Sequence, residues 1–118
     1  MKNFSIMSDI EKNKPPACPV DAFLKIFGQR WSAYILHMLN VNGPIRFGEL
    51  KRLIAGISQK VLTQKLRELE EAKIIYRHYK NAIPPEVTYG LTQRGLELIP
   101  TLNLISELAH RWRSDGNL

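Results

Sequence analysis

The most informative part of this chain is the stretch GISQKVLTQKLRELEEA, residues 56–72. Ser58 is placed to accept a hydrogen bond from the free N–H groups of a following helix, and Ile57 before it can pack on Leu62 as a hydrophobic staple. Apolar residues then recur at helical spacing, with long polar side chains projecting from the other side. These features predict a helix from Ser58 to about Ala72 with one buried stripe and one polar, partly basic face.

Three further helices are predicted upstream of this stretch. The first begins at Pro19, a residue suited to a first helical turn, and extends to Gly28. The second runs from about Trp31 to Val41 and is stopped by Asn42-Gly43-Pro44. The third is a short amphipathic helix of about two turns, from Phe47 to Ile54, which breaks at Ala55-Gly56. A tight turn therefore separates the short helix from the polar helix that follows.

Downstream of this helix, the helical spacing of apolar residues gives way to an alternation with a period of two residues. Residues 75–80 and 87–91 alternate around a loop at Pro84-Pro85, which predicts a β-hairpin. Thr92 is predicted to cap a last helix, which Pro100 should bend or divide in its first turns. The order of helices, tight turn, capped polar helix and hairpin predicts a winged helix-turn-helix, mainly α with a small β-hairpin and flanking N- and C-terminal helices.

Length and charge narrow the class of protein. The 118 residues suit one domain, and 17 Lys and Arg against 11 Asp and Glu give a net charge of +6, which favours polyanions such as nucleic acid or anionic lipid. Residues 46–80 hold nine basic side chains against four glutamates, a balance of +5, so most of this charge falls in the winged unit. Apolar runs are far shorter than the ~20 residues of a membrane span. The N-terminus lacks a signal-peptide core, so a cytoplasmic protein is expected.

Side chains for catalysis or metal binding do not occur in any pattern typical of such sites. The single cysteine, Cys18, excludes an intramolecular disulfide and a multi-cysteine zinc site. His37, His78 and His110 are too widely spaced to suggest a ligand pair. Since no nucleophile–base pair or phosphate loop is found either, the sequence predicts no enzyme, no metal and no cofactor.

The second helix of a helix-turn-helix can enter the major groove, where Arg, Lys, Gln and Thr side chains can bind base edges. The residues predicted to read bases are Ser58, Gln59, Lys60, Thr63, Gln64 and Arg67. Those predicted to contact the DNA backbone, some of them from the wing, are Arg46, Lys51, Arg52, Lys65, Arg77 and Lys80. Double-stranded DNA is the predicted partner. The alternative is a winged-helix module that binds a protein and does not read DNA.

Six blocks of sequence, in one order, closely resemble the HxlR-type winged-helix transcription regulators. They are CPV at 18–20, GQRWS at 28–32, RFGEL at 46–50, GIS at 56–58, VLTQKLRELE at 61–70 and PPEVTYGLT at 84–92. The resemblance implies a cytoplasmic homodimer on paired operator half-sites, with the first and last helices building the dimer. We expect a flexible arm at residues 1–17, the regulator domain at 18–114 and a tail at 115–118.

Two positions of the wing depart from the family pattern. Glu86 follows the double proline, where a basic residue is common, and the tip Asn81-Ala82-Ile83 is nearly neutral. Arg77 and Lys80 are therefore the predicted wing contacts, and the wing is expected to position the protein rather than to specify sequence.

Cys18 lies at the start of the first helix, where free N–H groups and the helix dipole stabilise a thiolate. By resemblance to family members that sense electrophiles or oxidants through a cysteine at this place, it is the candidate redox sensor. The alternative is a small residue that packs at the dimer interface. A small-molecule effector is not identified.

The remaining predictions concern apolar and aromatic residues. The last helix has a 4-3-4-3 apolar spacing, typical of a seam between paired helices. The predicted interface residues are Phe23, Leu98, Leu102, Ile105, Ala109 and Trp112. The aromatic residues predicted to face the core are Trp31, Phe47, Tyr76 and Tyr89, and His37 is predicted to be structural.

Overall fold

A computed structural model of the chain describes residues 18–117; the predicted arm at residues 1–17 and the final residue of the predicted tail lie outside them. Over the described residues the chain forms five helices and a three-stranded sheet. The helices are α1 (Pro19–Phe27), α2 (Arg30–Asn42), α3 (Phe47–Leu53), α4 (Gln59–Glu71) and α5 (Gln93–Ser114). The strands are β1 (Ile45–Arg46), β2 (Ile75–Lys80) and β3 (Glu86–Leu91). The predicted mainly α fold with a small hairpin is confirmed.

The starts of α4 and α5 are capped as the sequence predicts. The backbone N–H of Val61 donates to the hydroxyl oxygen of Ser58 over 3.1 Å, and that of Gly95 donates to the hydroxyl oxygen of Thr92 over the same distance, 3.1 Å. Such caps satisfy N–H groups that have no partner inside the helix. The tight turn before α4 contains Gly56 at φ +86°, a conformation that costs glycine little.

The sheet has β3 in its centre, antiparallel to both neighbours. The hairpin register runs from Ile75 opposite Leu91 to Lys80 opposite Glu86. Strand β1 was not predicted, because two residues are too short to show a period of two. It pairs Ile45 with Tyr89 and so attaches the wing to the segment that begins α3.

The core lies between the helices and the first residue of the hairpin. Leu36 of α2, Leu50 of α3, Leu62 of α4 and Ile75 of β2 are almost completely buried there. They stabilise the fold because apolar surface leaves water. The stripe predicted for the polar helix, Leu62, Leu66 and Leu69, is buried as expected.

Helix α5 continues through Pro100 as one element, so of the two predicted effects of Pro100, a bend or a division of the helix, the division is wrong. A proline in a helix interior removes one hydrogen bond and introduces a steric conflict with the preceding turn. Burial of the neighbouring Leu98 and Ile99 on the core holds the segment in place and offsets that cost.

Two predicted side-chain environments are also wrong. Tyr76 is 38% exposed; its ring crosses the strand at Gly90, where an added Cβ would overlap it. His37 is exposed on α2 and is not a buried structural histidine. The other three aromatic residues predicted for the core, Trp31, Phe47 and Tyr89, are half-buried against it.

Candidate nucleic-acid interface

The outward face of α4 is an open polar surface at the start of the helix. It is lined by Gln59, Lys60, Thr63, Gln64 and Arg67, and each of these residues is exposed. At roughly 100° per residue, these positions point away from the stripe that α4 buries. The structure thus brings five of the six predicted base-reading residues onto one surface, which we call the α4 reading face.

Two side chains near this surface are partly engaged by the protein itself. Ser58, the sixth predicted residue, uses its hydroxyl oxygen as the cap of α4, although its O–H remains able to donate. Gln64 donates through Nε2 to Glu68 Oε2 over 3.3 Å. This long and exposed bond is weak, so the Gln64 amide can exchange it for an adenine edge.

Lys65 lies elsewhere and corrects the prediction that it contacts the DNA backbone. Its side chain is only 14% exposed and its ammonium lies 3.4 Å from Glu68 Oε1. The same ammonium donates to the side-chain carbonyl of Gln29, before α2. Through its bond to Gln29, the N-cap residue of α2, Lys65 joins α4 to the start of α2.

Two of the predicted backbone-contacting arginines are held in ion pairs. Arg46 of β1 lies 2.7 Å from Glu86 of β3, which gives the unexpected acidic residue of the wing a partner inside the protein. Arg52 lies 2.6 Å from Glu49 within α3. Its hydrogen bond lowers the pKa of the Glu49 carboxyl, and the same bond raises the pKa of Arg52. Both arginines must share their donors with a carboxylate before they contact a phosphate.

The remaining predicted cations are exposed and make no ion pair with any residue of the range 18–117. They are Lys51, Lys60, Arg67, Arg77 and Lys80. Lys51 belongs to α3, Lys60 and Arg67 belong to the α4 reading face, and the last two belong to β2. Cations on all three parts of the winged unit are therefore available to a polyanion.

The predicted interface residues divide into two groups. Phe23 of α1 and Ile105 and Trp112 of α5 are exposed, while Leu102 and Ala109 are half-buried. Leu98 is only 8% exposed and belongs to the core of the subunit, which corrects its assignment to a dimer interface. Apolar residues have the same spacing in the turns of α5 that cover the core and in the turns that extend beyond it. The sequence therefore could not distinguish the two groups. Further exposed apolar residues of α1 and α5, which were not predicted for the interface, are Val20, Leu24, Leu96 and Leu104.

Cys18 is the N-cap residue of α1, as predicted from its place before Pro19. Its thiol is free and half-buried, and its side chain makes no capping hydrogen bond. The cysteine is therefore positioned at the start of a helix whose exposed face includes Phe23.

Among residues 18–117, no group of three or more His, Cys, Asp or Glu side chains could hold a metal ion. The helices described here also include none that is long and apolar enough to cross a membrane.

The fold and the exposed polar helix define a winged helix-turn-helix protein. The sequence model of the HxlR-like helix-turn-helix family matches residues 26–117. The chain belongs to this family, and its function is DNA-binding regulation of transcription, not enzymatic catalysis.

Individual relatives agree with this assignment. A protein of Fusobacterium mortiferum named regulatory protein MalR is 37% identical over 110 residues, which cover 93% of this chain and 100% of the relative. The HTH-type transcriptional regulator YdeP of Bacillus subtilis is 33% identical over 113 residues, covering 96% of this chain and 88% of the relative. The solved structure of the redox regulator HypR in its reduced form superposes with a TM-score of 0.76 at 33% identity, covering 81% of this chain and 94% of HypR.

Proposed function

We propose that this chain acts in the cytoplasm as a homodimeric regulator that reads paired operator half-sites with the α4 reading face. The observation that carries the proposal is the composition of that face, which consists of the polar side chains Gln59, Lys60, Thr63, Gln64 and Arg67. None of the exposed large hydrophobic residues in the described part of the chain belongs to α4. A helix that docks on a protein partner would be expected to present apolar side chains.

Each residue type on this face has a base-reading chemistry. Arg67 and Lys60 can donate to guanine O6 and N7, and Gln64 can bind adenine through both N6 and N7. The methyl and hydroxyl groups of Thr63 suit thymine or a polar edge. These side chains lie along the first three turns of α4, toward the N-terminal part of a recognition helix that meets the base edges.

The exposed cations that make no ion pair within residues 18–117 supply affinity that does not depend on DNA sequence. Lys51 before the turn, and Arg77 and Lys80 on the wing, can neutralise phosphates and release counterions. Such contacts fix the position of the protein on the duplex while the α4 reading face selects the bases.

A homodimer is supported by the apolar surface left exposed on α1 and α5. Val20, Phe23 and Leu24 are exposed on α1, and Ile105 and Trp112 on α5. Exposed apolar residues grouped in this way mark association surfaces. Pairing of two subunits would place two copies of α4 in successive major grooves, about 34 Å apart.

Cys18 is the proposed redox-responsive residue of this regulator. Its support is its place as the N-cap of α1 and the likeness to HypR, which is named a redox regulator. A mild oxidant such as diamide should change operator affinity in the wild type, whereas Cys18→Ser should bind the same operator and ignore the reagent. Unchanged affinity after complete modification of Cys18 would leave it as a packing residue.

The test of the proposed function is selection of bound sequences from random duplex DNA with the purified full chain. We expect a motif of two symmetric halves, centred about one helical turn or a multiple of it apart. The variant Lys60→Ala/Gln64→Ala/Arg67→Ala should select no motif. The control variant Arg111→Ala/Arg113→Ala, which removes two exposed cations from the end of α5, should select the wild-type motif. Absence of any enriched motif with the wild type would favour the protein-binding alternative.

A further inference from the structure

A cavity of about 220 Å³ lies where α1, the C-terminal end of α4 and the first three turns of α5 meet. Its apolar lining includes Phe23, Ile26 and Phe27 of α1 and Leu98 of α5. Arg94, Glu97 and Thr101 of α5 also line it. The cavity therefore combines an apolar interior with charged groups from one helix.

The size of this cavity limits what it can hold. An apolar cavity of about 150 Å³ in another protein accepts benzene, so 220 Å³ suits one aromatic ring with a short chain. It is too small for most drug-sized ligands, whose pockets begin at roughly 300 Å³. The aromatic and aliphatic lining favours a ring over a polar ligand of the same size.

The charges at the cavity favour an anionic group on that ring. Arg94 is exposed and makes no ion pair with residues 18–117, and Glu97 on the next turn is likewise unpaired within that range. Arg94 is the second residue of α5, where the positive end of the helix dipole adds to its own charge. A guanidinium also matches a carboxylate in a two-bond geometry. These effects, together with the net charge of +6, favour an anion at Arg94, although Glu97 places one carboxylate at the same cavity.

We propose that this cavity binds a small monocyclic aromatic carboxylate, with the ring among the apolar residues and the carboxylate at Arg94. Such a ligand would occupy the joint between the α4 reading face and the helices of the proposed dimer interface.

Contacts at this joint connect the cavity to α4, so that a ligand bound in the cavity can alter DNA binding. Ala72 and Ile74, on either side of Lys73, line the cavity, and Lys73 has the left-handed φ of +65°. The hydroxyl of Thr92 donates to the carbonyl oxygen of Lys73 over 2.7 Å, and Gly95 packs so closely on the Ile74 carbonyl that a Cβ would overlap it. A ligand against this joint would shift α5 and α1 relative to α4 and change the separation of the two reading helices. This regulatory step rests on the proposed function, whereas ligand binding does not.

The test is a chemical-shift titration of the full chain with 3-phenylpropionate, using 3-phenylpropylamine as a probe of the same shape and opposite charge. We expect saturable shifts at Phe27, Leu98 and Thr101 with the acid and weaker binding of the amine. Arg94→Gln should lower the affinity for 3-phenylpropionate roughly tenfold, as expected for loss of a charge-assisted hydrogen bond. Arg113→Gln, which makes the same charge change at the far end of α5, should retain wild-type affinity. Thr101→Phe, an exposed position, should fill the cavity and abolish the shifts while the melting temperature stays near that of the wild type.

Several results would overturn the proposal. Equal weakening by both arginine variants would mean attraction by net charge only, and tighter binding of the amine would refute the anionic class. Absence of saturable shifts with the acid would mean that the cavity does not bind this class of ligand and would refute the proposal. Operator affinity should be measured in parallel. Binding of the acid without a change in operator affinity would refute the regulatory step. Binding of the acid by a protein that selects no DNA motif would refute the proposed function alone.

Discussion

The hydroxyl of Thr92 donates a hydrogen bond of 2.7 Å to the carbonyl oxygen of Lys73. The backbone N–H of Thr92 donates to the carbonyl oxygen of Ile74 over 3.0 Å, and its hydroxyl oxygen accepts from Gly95 N–H. Lys73 directly follows the C-cap of α4, and Thr92 is the N-cap of α5. One threonine therefore joins the end of the proposed reading helix to the start of the proposed dimer helix.

Replacing Thr92 should test how much this junction stabilises the fold. Thr92→Val keeps the shape of the side chain but loses the cap and the bond to Lys73, so we expect a loss of about 1–2 kcal/mol in the free energy of unfolding. Thr92→Ser, which keeps the hydroxyl, should remain near the wild type. Urea denaturation measures the free energy of unfolding of both variants. Equal stabilities of the two would contradict a stabilising role for the Thr92 hydroxyl.

The pair Arg46–Glu86 should restrain the contribution of the wing to DNA affinity. Glu86→Gln removes the carboxylate 2.7 Å from Arg46, which leaves the guanidinium free for a phosphate. Affinity for random duplex DNA should rise, and the slope of log affinity against log salt should steepen by about 0.9. Glu107→Gln on α5 makes the same charge change away from the wing and is the control. Equal slopes for the two variants would show that Arg46 does not reach DNA.

Charge on the exposed turns of α5 should separate the proposed dimer. Ile105 is 54% exposed in the subunit, so Ile105→Asp should leave the fold intact and give monomers by sedimentation at micromolar concentration, because a buried unpaired charge is costly. Ser114→Asp, at the exposed last residue of α5, should stay dimeric. A dimeric Ile105→Asp would place the interface elsewhere.

Leu98 lies on the same helix as Ile105, but its replacement should affect the stability of the subunit and not its dimerisation. Since it is buried in the subunit, Leu98→Ala should cost about 2–5 kcal/mol of unfolding free energy through the cavity it creates. A Leu98→Ala variant that kept its stability but lost its dimer would restore the original assignment of this residue to the interface.

The fold was largely predictable because local signals agree with one another. The cap at Ser58, the buried stripe of α4 and the turn at Gly56 each specify the same helix start, and the hairpin follows from a change of period. Strand β1 was missed since Ile45–Arg46 carries no period of its own and exists only through its pairing with β3.

The candidate site was predictable by residue type but not by pairing. The outward direction of Lys60, Gln64 and Arg67 follows from helical geometry alone. The engagement of Lys65 by Gln29 and of Arg46 by Glu86 depends on contacts between distant parts of the chain. A count of basic residues cannot distinguish such cations from free ones.

Base reading by the α4 reading face is the central claim, and the affinity of Arg67→Ala for two DNAs tests it most directly. The operator obtained by selection should be compared with a random duplex of the same length, at one salt concentration. We predict a loss of about 1–3 kcal/mol on the operator and a much smaller loss on the random duplex. Arg77→Ala on the wing is the matched control and should weaken both DNAs equally. Equal losses on the two DNAs for Arg67→Ala would contradict the claim and assign Arg67 to phosphate contact.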